Sequence, residues 1–178
     1  MWDAATLPPV YEAKPSFATG ALALGGPVRP THLVRSTSAA DFAPQGTAVA
    51  ENGTLTLYRL VGGPSLAWIS RGIDNDGWTD ARTRTQIRVF GGDRARVWTL
   101  RLLAKGRAEK DQQVDVSFGR SQESVRISDT AELKVTACVP AGEPKMAIVR
   151  PHGSSPLDDR RVGIRVLEVK ARPTARLC

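Results

Sequence analysis

Asp74, Asn75, Asp76, Trp78 and Asp80 stand within one stretch, Gly72-Ile73-Asp74-Asn75-Asp76-Gly77-Trp78-Thr79-Asp80. No other segment of the 178-residue chain combines clustered carboxylates, turn residues and a large aromatic. Two kinds of chemistry suit these residue types. A tryptophan ring can stack on the apolar face of a sugar while nearby carboxylates accept its hydroxyl protons, which makes Asp74, Asp76, Trp78 and Asp80 the best candidates for carbohydrate binding. The oxygens of Asp74, Asn75 and Asp76 are also hard donors for a structural Ca²⁺, provided other loops complete the ligand set. Against both stands a plainer reading. Asp, Asn and Gly make tight turns by bonding their own main chain, and a tryptophan beside glycines commonly caps a core.

Other chemistry is less well provided for. His32 and His152 fall in separate loops, and no His/Cys cluster has metal-ligand spacing. There is no G-x-S-x-G elbow or phosphate-binding glycine loop. Asp158 and Asp159 could converge with the acids of the turn, but such residues ordinarily occupy solvated turns, so no residue is assigned a catalytic role. The formal net charge is +7, and Arg82, Arg84, Arg88, Arg94, Arg96 and Arg101 fall close together in a stretch that reads as one hairpin. These arginines alternate with apolar residues as the wet face of a sheet does. Aromatics are only 6% of the chain, and none interleaves with the arginines as a stacking platform for bases requires. Nucleic acid is therefore not expected as a partner. A basic face suits anionic lipid head groups or acidic glycans better, because net charge alone is needed.

The elements that would position these residues read as strands. Leu55, Leu57 and Val61 alternate with Thr54, Thr56 and Tyr58 after the Asn52-Gly53 turn, placing the leucines on a core face. Leu66, Trp68 and Ile69 form the next strand; Thr85, Ile87 and Val89 the one after the Asp/Gly/Trp turn. Gly91-Gly92-Asp93 reads as a hairpin turn leading to Trp98, Leu100 and Leu102. Further alternation marks Val114 to Phe118, Val125 to Ile127, Leu133 to Ala137, Met146 to Val149 and Val162 to Val169, with a change of phase near Val166 that suggests a bulge. Residues 37–50 and 151–159 read as loops and 172–178 as a tail. Residues 1–30, rich in Pro, Ala and Gly, read as an extended arm or linker that Trp2 and Tyr11 could pin to a domain spanning 31–178. Short strands separated by turn signals about every ten residues predict an all-β, two-sheet antiparallel sandwich of eight to ten strands, jelly-roll-like. A hydrophobic fraction of 41% suits a soluble globular domain. No apolar run approaches the ~20 residues that cross a bilayer. With no leader-like N-terminus, the chain is expected to be cytosolic or a piece of a larger exported protein.

Two motifs and their order carry a resemblance. Tyr58-Arg59-Leu60, Gly62-Gly63-Pro64, Trp68, Gly72-Ile73 and Asp76-Gly77-Trp78-Thr79 are followed by Asp159-Arg160-Arg161-Val162-Gly163. Over about residues 54–170 this is similar to the C-terminal extracytoplasmic sandwich domains of actinobacterial polytopic membrane glycosyltransferases. The resemblance implies a noncatalytic domain that binds or positions a cell-wall polysaccharide or lipid-linked sugar outside the cytoplasm, tethered to the membrane through its parent. The membrane helices that would hold a transferase site are absent from this sequence. The alternative is a structural or interaction domain that docks a membrane partner and binds no sugar. Exported placement makes a Cys138–Cys178 disulfide plausible, since Cys138 falls on the face opposite Leu133, Val135 and Ala137 and the tail could cross to it. Asp159 and Arg160 suit a structural role at the start of the last strand, the carboxylate bonding free amides and the guanidinium clamping a neighbouring acid.

Overall fold

The computed structural model describes residues 13–24, 29–36, 41–107 and 111–178. Trp2 and Tyr11 lie outside the described residues. Among those residues the regular structure is sixteen strands. They are β1 (Ala13–Pro15), β2 (Leu22–Leu24), β3 (His32–Ser36), β4 (Phe42–Pro44), β5 (Gly46–Asn52), β6 (Leu55–Leu60), β7 (Leu66–Arg71) and β8 (Trp78–Asp80). The second half supplies β9 (Thr85–Phe90), β10 (Arg96–Lys105), β11 (Gln112–Phe118), β12 (Ser121–Ile127), β13 (Thr130–Val139), β14 (Pro144–Pro151), β15 (Ser155–Leu157) and β16 (Arg160–Leu177).

Two sheets pack as an antiparallel sandwich. One has six strands in the order β12-β11-β14-β9-β7-β4; the other has five, β13-β10-β16-β15 with β8 also on β16. The period-two pattern decides which residues meet between them. On β10, Trp98, Leu100, Leu102 and Ala104 are buried and register with Ala137, Val135, Leu133 and Ala131 of β13. Val114, Val116 and Phe118 of β11 and Ile87 and Val89 of β9 fill the same core from the facing sheet. Each valine, leucine, isoleucine or phenylalanine among them contributes about 1.5–3 kcal/mol by leaving water. A smaller cluster of Leu22, Leu66, Ile69 and Phe90 lies under the β1-β2 hairpin, so residues 13–24 are packed on the body.

Several sequence expectations are corrected here. Gly91-Gly92 does not close a hairpin. β9 bonds β7 and β14, while β10 bonds β13 and β16, so the chain crosses between sheets at this point. Gly91 is required there because a Cβ would lie 1.9 Å from the Pro140 carbonyl oxygen. The six arginines read as one stripe are consequently divided between two sheets and the loops that follow β8 and β9. Arg88 stacks 4.2 Å over the Phe17 ring and donates to the Phe17 carbonyl. Within residues 37–50, β4 and β5 are strands, and residues 37–40 lie outside the described set. Within 151–159, β15 pairs with β16, and the expected tail continues β16 to Leu177. Local composition obscured these strands because they pair at edges, where no alternating apolar face is demanded.

The phase of β6 is also reversed. Leu55 is 44% exposed and Thr56 only 5%. β6 belongs to a separate three-stranded sheet, β3-β6-β5, which turns its Thr56 and Tyr58 side toward the body. Two other readings hold. Leu167 is the extra residue of a bulge, since Leu103 registers with Glu168 but Ala104 with Val166. Cys138 and Cys178 are bonded across the end of β10, with Cα atoms 5.7 Å apart.

Candidate functional site

The stretch 72–80 is built around hydrogen bonds of its own. Gly77 sits at φ +85°, and a Cβ there would lie 2.6 Å from the Val166 carbonyl oxygen, so glycine alone lets the loop close on β16. The Gly77 N–H donates to the Asp74 carbonyl at 2.8 Å, and the Asp74 N–H to the Trp78 carbonyl at 2.8 Å. Asp76 Oδ1 accepts from the Trp78 N–H at 3.2 Å. Arg160 then joins the acids from the far end of the chain. Its Nη1 donates to Asp74 Oδ2 at 2.7 Å and its Nη2 to Asp76 Oδ2 at 2.6 Å. The hydrogen bond from Arg160 holds the Asp76 carboxyl below its usual range, and the same bond raises the Arg160 guanidinium. Asp159 delivers that arginine: with Asp158, at φ +52°, it forms the two-residue turn between β15 and β16, where Leu157 registers with Arg160.

Asp80 faces its own turn. Its Oδ1 accepts from the Arg82 N–H at 2.8 Å and its Oδ2 from the Thr83 hydroxyl at 3.3 Å. Asn75 is exposed. Trp78 is half-buried and belongs to neither apolar cluster. The structure thus brings Asp74, Asp76 and Arg160 together, sets Trp78 beside them and directs Asp80 elsewhere. A guanidinium stands between the two carboxylates at the position where a cation would bind them.

A second polar constellation went unread in the sequence. Asp115 lies between Ser124, whose hydroxyl donates to Oδ1 at 2.6 Å, and His152, whose Nε2 is 2.5 Å from Oδ2. Those two bonds, that to Ser124 first, lower the Asp115 carboxyl. A carboxylate placed between hydroxyl and imidazole leaves the serine without a base, which is the wrong order for a nucleophile. The residues are brought together only by the pairing of β11 with β12 and β14.

Another concave feature is a groove of about 860 Å³. It runs along residues 167–173 of β16, faces β4 and β7 of the other sheet, and is walled by the three-stranded sheet. Register explains the wall. Arg35, Thr56 and Glu51 are cross-strand partners, as are Tyr58 and Ala48, and all line the groove. Trp68 and Trp98 contribute from the core. Glu168, Lys170 and Arg172 supply charge, with Lys170 Nζ 2.6 Å from Glu168. The Arg35 guanidinium lies over two rings, 5.5 Å from that of Trp68 and 5.7 Å from that of Phe42. At the other side of the sandwich the two sheets are closed together: the Glu123 carboxylate accepts from the Lys134 amide, and Ser121 Oγ from the Thr136 amide at 3.3 Å. The sequence placed Trp68 and Trp98 correctly in strands, but nothing local indicates that both open onto one groove.

No protein-family model matches the chain, and no curated protein sequence does. Among solved structures, a CBM35 from Paenibacillus barcinonensis is similar over 82% of this chain and 100% of its own, at 8% sequence identity and a TM-score of 0.31. A likeness at that level carries no argument about function. The sandwich follows from the strand pairings, and the covalent bridge between Cys138 and Cys178 is of the kind that oxidising compartments maintain.

Proposed function

We propose that the chain is a noncatalytic carbohydrate-binding domain that positions a polysaccharide or lipid-linked sugar for a cell-envelope glycosyltransferase. The groove carries this reading. Its volume lies in the range of small-ligand sites, ~300–1,000 Å³, and its lining mixes aromatic bodies with separated donors and acceptors. Tyr58 offers a ring face, while Gln45, Glu51 and Arg172 can exchange hydrogen bonds with hydroxyl groups in both directions. Such a mixture suits a polyhydroxylated ligand better than an apolar one. An extended peptide would have to add to the same stretch of β16, but Glu168, Lys170, Arg172 and Pro173 are the charged and proline residues that block strand addition. On this reading the 72–80 loop, with Asp74 and Asp76 committed to Arg160, frames the fold, and Arg160 rather than Ca²⁺ is their counter-ion.

The second reading, an interaction domain at a membrane partner, has its own observation. The outer face of the three-stranded sheet carries Val34 at 59% exposure and Leu55 beside Arg59, and Val61 follows at 64%, with no acidic side chain on that face of β3 or β6. Calorimetric titration against arabinan, mannan and galactan oligosaccharides separates the two. Saturable binding that Tyr58→Ala weakens and Trp78→Ala leaves intact is expected. No binding to any of the three, with retention on anionic vesicles, would replace the first reading by the second.

A further inference from the structure

We infer that Trp98 is the specificity-determining residue of the groove, its indole N–H donating to an oxygen of the ligand; this rests on the carbohydrate reading above. Trp98 is 6% exposed and belongs at once to the main core and to the groove lining. Its Nε1 is buried and has no hydrogen-bond acceptor among the described residues. A buried donor in that condition is destabilising, and native folds retain one where a water, an ion or a ligand completes it.

The backbone around Trp98 points the same way. Residues 167–173 of β16, which line the groove continuously, lie between two irregularities in the pairing with β10. One is the bulge at Leu167. The other falls between Trp98, opposite Pro173, and Arg96, opposite Leu177. Irregularities of this kind end regular pairing and redirect side chains beside binding sites. Here they bracket the lining stretch of β16, and Trp98 pairs with Pro173, the last lining residue of that stretch.

The chemistry then selects the ligand. The indole N–H needs an acceptor, and on the carbohydrate reading a hydroxyl, ring or glycosidic oxygen of the sugar supplies it. A site that donates to such an oxygen discriminates against analogues lacking it far more strongly than an apolar pocket discriminates by size. Trp98→Phe keeps an aromatic side chain, smaller than the indole, and removes the donor.

The test is calorimetric titration of wild type and Trp98→Phe with whichever of the arabinan, mannan and galactan oligosaccharides binds tightest, together with urea denaturation of both proteins. Expected is a loss of affinity of about tenfold or more in the variant, with the free protein still folded but somewhat less stable, since phenylalanine leaves part of the buried indole volume unfilled. Equal affinity in the two proteins would overturn the assignment while leaving the carbohydrate reading in place. Failure of wild type to bind any of the three would overturn both. Should Trp98→Phe not fold, the indole N–H resonances of ¹⁵N-labelled wild type decide: that of Trp98 must shift downfield on saturation, and an unmoved resonance contradicts the assignment.

Discussion

Thr79 and Ile164 are joined twice through one hydroxyl. Thr79 Oγ1 accepts from the Ile164 N–H at 3.0 Å and donates to the Ile164 carbonyl at 3.2 Å. Both residues are fully buried. The side chain stands in for strand pairing at the point where β8 and β16 lose register, between Val162 and Arg165. The same contact draws the 72–80 loop onto β16 and brings Arg160 within reach of its two acids.

Thr79→Val preserves the shape and removes both bonds. It leaves a buried N–H and carbonyl unpaired and should cost about 2–4 kcal/mol in urea denaturation. Thr79→Ser should retain most of that stability. A valine variant as stable as wild type would show that another group satisfies Ile164.

Acid stability should report the Arg160 clamp. The Asp76 carboxyl is lowered in the folded protein, chiefly by its hydrogen bond from Arg160. Its contribution is therefore complete above the unfolded value near ~3.9 and is lost as pH falls through the lower folded value. Asp76→Asn should lower Tm at neutral pH and flatten its decline below pH ~4. Millimolar Ca²⁺ should leave the wild-type Tm unmoved, because the Arg160 guanidinium already stands between the two carboxylates and bonds both. A rise of several degrees would instead make Asp74, Asn75 and Asp76 a calcium site.

Trp68, which precedes the loop, and Trp78, which lies in it, should behave differently. Trp68 is 2% exposed and lies in the main core, so Trp68→Ala should cost about 3–5 kcal/mol. Trp78 is half-buried outside that core, and Trp78→Ala should cost clearly less. Equal losses would place Trp78 among the core residues and revive its reading as a cap.

Reduction should destabilise without unfolding the sandwich. The Cys138–Cys178 bridge spans 40 residues, a loop worth about 4 kcal/mol in the chain-entropy model. Intact mass after alkylation without reductant should show no modified thiol, and Cys178→Ser should lower Tm by a comparable amount to reduction. Two alkylated thiols in unreduced protein would contradict the bridge.

The sequence by itself determined the strands of the core and the faces they present. Alternation at 98–102, 114–118 and 133–137 names the buried residues because side chains on a strand alternate sides whatever the partner. It also determined the phase change near Val166, since an added residue must shift one face to the other. The opposite-face placement of Cys138 followed from the same rule. Only the tertiary structure decided which strands share a sheet. Gly91-Gly92 has the composition of a hairpin, yet the chain crosses there between sheets, because turn residues specify a reversal and not the strand that receives it. The exposed leucine of β6 and its buried Thr56 were misassigned for a related reason. Hydrophobicity marks the core face only where a strand has a core to face, and the three-stranded sheet presents its polar side to a groove. Arg160 meets Asp74 and Asp76 across 86 and 84 residues, and Tyr58, Trp98 and Arg172 meet along β16. Such meetings are set by the register of distant strands, which no local pattern encodes.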